Sequence, residues 1–178
     1  KGFDLTFSID FQKGGMFYSE TRNFNTGAGL SAETVGVNDK GNDWRDYPGS
    51  YVLATGNAGK GGIRVPGVFA NGTENNRYIS ARAYWYTARQ RDASNQLLDG
   101  SYVKLREIRF GYNIPSKILA KTKIAKAANI GFIMQNAWLM WAASKKYGID
   151  PSELESLGYE GGQLSSTRQI GGNLRITF

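Results

Sequence analysis

Residues 170–178 read IGGNLRITF, a strand pattern that runs to the last residue of the chain. Ile170, Leu174, Ile176 and Phe178 fall on alternate positions, with Asn173, Arg175 and Thr177 between them. A two-residue period puts one set on each face of a sheet. Chain termini ordinarily fray, so a terminus patterned this well is expected to be paired into something large.

The same period opens the chain. In KGFDLTFSIDFQKGG, Phe3, Leu5, Phe7, Ile9 and Phe11 alternate with Asp4, Thr6, Ser8, Asp10 and Gln12 before Gly14 and Gly15 end the run. Two more strands are expected in SYVKLREIRFGYNIP and NIGFIMQNAWLMW. The first of these slips phase. Val103 and Leu105 share one parity while Ile108, Phe110, Tyr112 and Ile114 share the other, so either a β-bulge sits at Arg106 and Glu107 or the first half projects beyond the apolar zone. Pro115 closes that strand, because it cannot continue a hydrogen-bonded ladder.

Composition agrees with an all-β class. The 178 residues carry 10 Tyr, 9 Phe, 4 Trp and 23 Gly but only 4 Pro, the balance of a barrel or sandwich. A mean hydropathy of −0.43 and the lack of any apolar run near the roughly 18 residues of a spanning helix exclude a helical membrane protein. With 0 Cys there are no disulfides or thiolate sites, and with 0 His the commonest general base and metal ligand are missing. Catalysis and a metal site are therefore not expected. A net charge of +7 suits an acidic partner, but the basic residues are scattered among aromatics without a recognition motif, so nucleic acid is not expected either. Lys1 is not a start methionine and no signal peptide follows it. The chain is expected to begin inside a longer protein.

The strands are placed near residues 1–12, 101–114, 129–141 and 168–178, with connections 13–100, 115–128 and 142–167. Long, short, long is the order of an outer-membrane barrel, whose extracellular loops are long and whose periplasmic turns are short. Eleven residues at about 3.3 Å each, tilted by about 45°, cross roughly 26 Å, close to the ~25 Å apolar band of such barrels. Trp138, Trp141 and Tyr147 are expected at the outer girdle, and Phe178 at the inner one. The long first connection reads as irregular, with a single short helix over Ser80–Arg91 and Ser80 as its N-cap. GNAGKGG lacks the Ser or Thr and the helix of a phosphate loop, and NDKGND lacks the ligand spacing of a calcium loop. The aromatics Trp44, Tyr47, Tyr51, Tyr84, Trp85 and Tyr86 lie outside any lipid-facing alternation and are the candidate ligand-binding residues, because aromatic faces bind sugar rings and peptide side chains. Lys117, Lys121, Lys123 and Lys126 read as a solvated periplasmic face.

Several stretches, in order along the chain, resemble the SusC/RagA-type TonB-dependent outer-membrane transporters. SYVKLREIRFGYNIP is similar to that family's YxKLREIxLxYxxP, QNAWLMW to RNLWLIY, GIDPS to GIDPE, and SSTRQIGGNLRITF to PSTRSxGxNLxLTF; GLSAETV and VPGVFANGTENN resemble its loop signatures. Ala137 departs from the pattern, where a larger apolar residue is usual. The resemblance implies the C-terminal antiparallel strands of a large transmembrane β-barrel with long extracellular loops 13–100 and 142–167 and a periplasmic turn 115–128. By the same resemblance, the plug domain and the remaining strands are expected to lie outside this chain. It implies location in the outer membrane of a Gram-negative bacterium and import of a large nutrient, an oligosaccharide first and a peptide second. A SusD-like surface lipoprotein would serve as lid, and TonB would act through the missing N-terminal part. Outer-membrane lipid and the rest of the barrel are the other partners, with no cofactor. Leu174, Ile176 and the terminal Phe178 would form the signal read by the barrel-assembly machinery. Four strands cannot close a barrel, since the smallest need about eight, so the chain is expected to be completed by other polypeptide. The alternative reading is a soluble or surface-exposed glycan-binding β-sandwich.

Overall fold

The structure, a computed structural model, describes residues 2–47, 61–89, 92–122, 124–154, 156–164 and 166–178. Along them run the strands β1 (Phe3–Gln12), β2 (Met16–Ser19), β3 (Ile63–Arg64), β4 (Tyr78–Ile79), β5 (Leu97–Asp99), β6 (Tyr102–Asn113), β7 (Ala127–Ala142), β8 (Tyr159–Glu160) and β9 (Gln169–Thr177). Short helices α1 (Glu20–Gly27), α2 (Ala81–Ala83) and α3 (Ser116–Leu119) lie between them. The chain divides into two compact units. The first comprises Lys1–Met16, Asp99–Leu154 and Leu164–Phe178, the second Phe17–Leu98 and Glu155–Gln163.

The first unit is built on a four-stranded antiparallel sheet in the order β1-β6-β7-β9. Residues directly opposite in a ladder share a face, so the register sorts the side chains. Phe3, Tyr112, Ile130 and Leu174 form one row, Leu5, Phe110, Phe132 and Gly172 the next, and Phe7, Ile108, Met134 and Ile170 a third. Phe3 stacks on Tyr112 at 4.5 Å between ring centroids. The opposite face carries Asp4, Gly111, Gly131 and Asn173, then Ser8, Glu107, Gln135 and Gln169. One face is thus apolar across every strand, and the other is polar, with Ile133, which lies opposite Arg109, as an exception. Phe3 and Phe7 are 67% and 62% exposed, whereas the core of a sandwich would cover them. This sheet is open, with β1 and β9 at its edges.

The phase slip in β6 is a bulge. Against β1 the register jumps between Ser8 and Ile9, which pair with Glu107 and Leu105 and leave Arg106 unmatched. Against β7 the same residue faces an irregularity between Gln135 and Trp138, where Asn136 takes a positive φ of 49°. The extra residue restores parity. Leu105 and Val103 then join Ile9 and Phe11 on the apolar face instead of leaving it.

The bulge also aims Arg106 at the polar side. Its Nε and Nη2 donate to Asp10 Oδ2 at 3.0 and 2.8 Å, and its Nη1 to Glu153 Oε1 at 2.6 Å. Two residues earlier Lys104, 1% exposed, donates to Asp150 Oδ2 and Glu153 Oε1, both at 2.8 Å, and to Ser152 Oγ at 3.0 Å. The turn Pro151–Glu153 is itself capped by Asp150, whose side chain accepts from Ser152 N at 2.9 Å. KLRE in the strand and GIDPSE in the loop are therefore joined by charge.

Burial works against a charge on Asp150, but hydrogen bonds from Lys104 and Ser152 outweigh it and hold the carboxyl below its ordinary 3.8. A carboxyl whose pKa folding depresses contributes stability above its ordinary value and loses it as pH falls through the folded one. The thermal midpoint of the folded protein should thus drop as pH falls below the ordinary carboxyl value of 3.8, and drop less in Asp150→Asn. Equal acid sensitivity of the two proteins would remove Asp150 from the account.

In the second unit β2 lies between β5 and β8, pairing with β8 in parallel, and β3 pairs antiparallel with β4. Phe17, Ile79, Ala83 and Leu98 form its buried core. The expectation of a single helix in this long connection is corrected by α1. Ser19 caps it, accepting from Arg22 N at 3.0 Å, and Glu160 from β8 reaches the same end, accepting from Ser19 Oγ and Thr21 Oγ1, each at 2.6 Å, and from Thr21 N at 3.1 Å. Burial raises the Glu160 pKa, yet these bonds and the Gly162 N–H outweigh it and leave the carboxyl below its ordinary range. Ser80 does cap α2, accepting from Ala83 N at 3.1 Å, but from Tyr84 to Arg89 the turns widen to a π-helix. Gln90 and Arg91 lie outside the described residues.

The NDKGND stretch is a turn organised by Asn38, whose Oδ1 accepts from Lys40 N at 2.9 Å and Asn42 N at 3.1 Å. Asn71 does the same for Thr73 in VPGVFANGTENN.

Candidate functional site

Two segments far apart in sequence bring the loop aromatics together. Asp43 caps a turn over Trp44–Asp46, its side chain accepting from Arg45 N at 2.8 Å. The indole of Trp44 then lies over Gly36, where an added Cβ would stand 2.8 Å from a ring carbon. Gly36→Ala should therefore displace the ring and cost about 1–3 kcal/mol, as overpacking does. A red shift in tryptophan fluorescence together with an earlier unfolding transition would register it, and an unchanged spectrum would contradict it.

From the other side the α2 turn presents Tyr84, Trp85 and Tyr86. Trp85 is the buried one, 9% exposed. Its ring meets Tyr84 edge-on at 5.2 Å and Trp44 tilted at 6.5 Å between centroids. Among the described residues its indole N–H has no hydrogen-bond partner. Gly61 and Gly62, at φ of 88° and 82°, pass so close to Tyr47 that a Cβ on Gly62 would lie 3.0 Å from its ring.

These pieces enclose a cavity of about 500 Å³ within the second unit, lined by Tyr47, Trp85 and Tyr86 together with Phe24, the Gly27–Gly29 end of α1, Thr34, Ser80 to Arg82 and Arg45. That volume lies within the range of small-ligand pockets, roughly 300–1,000 Å³. Arg45 ties two walls, since its Nη2 donates to Gly29 O at 2.8 Å and Thr34 Oγ1 at 3.0 Å. Of the six candidate aromatics, Tyr47, Trp85 and Tyr86 line the cavity, Trp44 and Tyr84 pack against Trp85, and Tyr51 lies outside the described residues. Sequence reasoning missed Arg45, Arg82, Phe24 and Thr34. The signal for the arginines was their place inside the aromatic runs, one residue after Trp44 and two before Tyr84.

Leu174 and Ile176 project from β9 on the apolar face, in register with Ile130 and Ala128. Phe178, 70% exposed, follows the last paired residue, Thr177. Trp138 and Trp141 continue the apolar face at the far end of β7, opposite Leu105 and Val103. Among the described residues no helix is long and apolar enough to cross a membrane.

No protein-family model matches the sequence, and comparison with curated proteins finds no match. Solved structures do match. The RagAB peptide importer in its closed-closed state superposes with a TM-score of 0.58 at 15% identity, and in its open-open state with 0.56 at 14%. A further structure of the RagAB peptide transporter gives 0.56 at 12%. In each the whole of this chain is covered, but only 16% of the other. At such identities the likeness is one of fold: this chain folds as a 16% portion of a far longer RagAB chain does.

Proposed function

We propose that this chain is the C-terminal wall of a TonB-dependent outer-membrane transporter of the SusC/RagA type, which imports a large nutrient beneath a SusD-like lipoprotein lid. The observation that carries the reading is the two-sided sheet. An apolar face continuous over four strands suits hydrocarbon, and the polar face behind it suits a water-filled lumen. Burying a residue such as Phe7 in hydrocarbon is worth about 1.5–3 kcal/mol relative to water, so an assembly that covers this face with lipid gains many times that. The free edges of β1 and β9 must then be paired by other strands, because an unpaired backbone group in lipid costs several kcal/mol. The fold likeness to part of the RagAB structures supports the same reading.

In this account the connection 13–100 is an extracellular loop whose cavity contacts the nutrient, and the chain supplies wall and loops. The plug moves when TonB transmits energy from the inner membrane. Expressed within its complete gene, the protein should fractionate with the outer membrane and migrate on gels as a heat-modifiable barrel. Recovery as a detergent-free soluble monomer would refute the proposal. Phe178 and the two residues Leu174 and Ile176 are read as the assembly signal. Deleting Phe178 should lower the amount of folded barrel in the outer membrane several-fold without lowering its synthesis, and normal assembly would remove that role.

A further inference from the structure

The sheet of the first unit has a notch at one end. β7 runs on past the start of β9: their register ends where Gln135 meets Gln169, so Asn136–Ala142 has no β9 partner beside it. Asn136 Nδ2 donates instead to Thr167 O at 3.2 Å. A pocket of about 290 Å³ lies there, and its lining includes Trp138, Leu139, Lys145, Ile149, Ser166 and Arg168 beside the paired Lys104 and Asp150.

The charge of this pocket is one-sided. Among the described residues that line it Asp150 is the one acid, and Lys104 Nζ already holds its Oδ2 at 2.8 Å. Lys145 and Arg168 are both exposed, and among the described residues neither makes a salt bridge. Lys145 makes one long hydrogen bond, to Leu139 O at 3.5 Å, which leaves two ammonium donors. Ser166 Oγ accepts from Lys104 Nζ at 3.4 Å and keeps its own O–H. Trp138 joins the pocket to the apolar face. It lies opposite Leu105 and Trp141 opposite Val103, and the two indoles are 55% and 51% exposed.

Half-exposed tryptophans that end an apolar face belong at the boundary between hydrocarbon and headgroups. The anion available at that depth is a lipid phosphate. Its oxygens suit the flat fork of an arginine together with the point charge of a lysine. We propose that this pocket binds the phosphate of an outer-leaflet lipid, whose acyl chains lie on the apolar face beside Trp138 and Trp141. The inference rests on the transporter reading above.

The test uses the complete outer-membrane protein, purified in detergent and titrated calorimetrically at one fixed ionic strength. Three probes serve: phosphorylated lipid A, the same lipid A with its phosphates removed, and inorganic phosphate. The phosphorylated lipid should bind about tenfold or more tightly than its dephosphorylated twin, as expected for charge-assisted hydrogen bonds. Inorganic phosphate at the same concentrations should not register, because it has no chains to lay against the tryptophans. Arg168→Gln should remove most of the preference, and Lys145→Gln/Arg168→Gln should abolish it. Lys117→Gln/Lys121→Gln removes the same charge beyond the opposite end of β7 and should leave the preference intact. Heat-modifiable migration checks that each variant is folded. The inference is wrong if the two lipids bind alike, if neither binds, or if inorganic phosphate binds as tightly as the lipid. It is equally wrong if the preference survives the Lys145 and Arg168 substitutions, or if the Lys117 and Lys121 pair abolishes it as completely. Failure of the transporter reading would show separately, as loss of outer-membrane fractionation and heat-modifiability in the parent protein.

Discussion

Phe7→Arg should prevent or strongly impair insertion of the barrel, at a cost of about 2–4 kcal/mol for a cation placed on the lipid face near mid-membrane. Ser8→Arg, one residue on, should leave it folded. The contrast follows from register. Phe7 sits in a row with Ile108, Met134 and Ile170, whereas Ser8 sits with Glu107, Gln135 and Gln169. A cation on the Ser8 side meets Glu107, already paired to Arg109 at 2.6 Å, and water. The fraction of heat-modifiable protein in the outer membrane reads the difference. Equal tolerance of the two substitutions would mean that the faces are not divided between lipid and lumen.

The second large effect is at Lys104. Replacing it with Met should destabilise the folded protein by about 2–4 kcal/mol, toward the lower part of the range for breaking a buried ion pair, because the carboxylates left behind are only partly buried. Asp150 and Glu153 have side chains 16% and 32% exposed, and Glu153 keeps Arg106 at 2.6 Å. Asp150 would lose the ammonium that justifies its charge. Lys104→Met/Asp150→Leu should recover part of the loss by removing the stranded carboxylate. Protease resistance of the loop around Gly148 to Glu153 and the midpoint of thermal unfolding both report it. A Lys104→Met protein as stable as the parent would show that KLRE and GIDPSE touch without holding each other.

What the sequence made legible is what depends on local period. Alternation in Phe3–Phe11 and Ile170–Phe178 needs no partner to be recognised, because the pleat alone sorts the faces. The fate of Arg106 was undecidable there. Whether a phase slip is a bulge or an excursion depends on what the neighbouring strands offer, and Asp10 and Glu153, which receive the arginine, are 96 and 47 positions away. α1 was hidden for a similar reason. Glu20–Gly27 has one large apolar residue, Phe24, and so no stripe to detect. Its start is secured by Glu160, 139 or more positions downstream. In the cavity the aromatics stood out because they broke the lipid-facing pattern. Arginines scattered in a basic chain look like solvated surface until the fold brings two of them to the lining of one cavity.

The division of faces is tested most directly by labelling. The sequence holds no cysteine, so single cysteines placed along β1 in the complete protein, reconstituted in lipid, would report this region through attached nitroxides. Labels at Phe3, Leu5 and Phe7 should collide with membrane-dissolved oxygen and be shielded from a water-soluble nickel chelate. Labels at Asp4, Thr6 and Ser8 should show the reverse. The same accessibility at odd and even positions, or an alternation of opposite sign, would contradict the account.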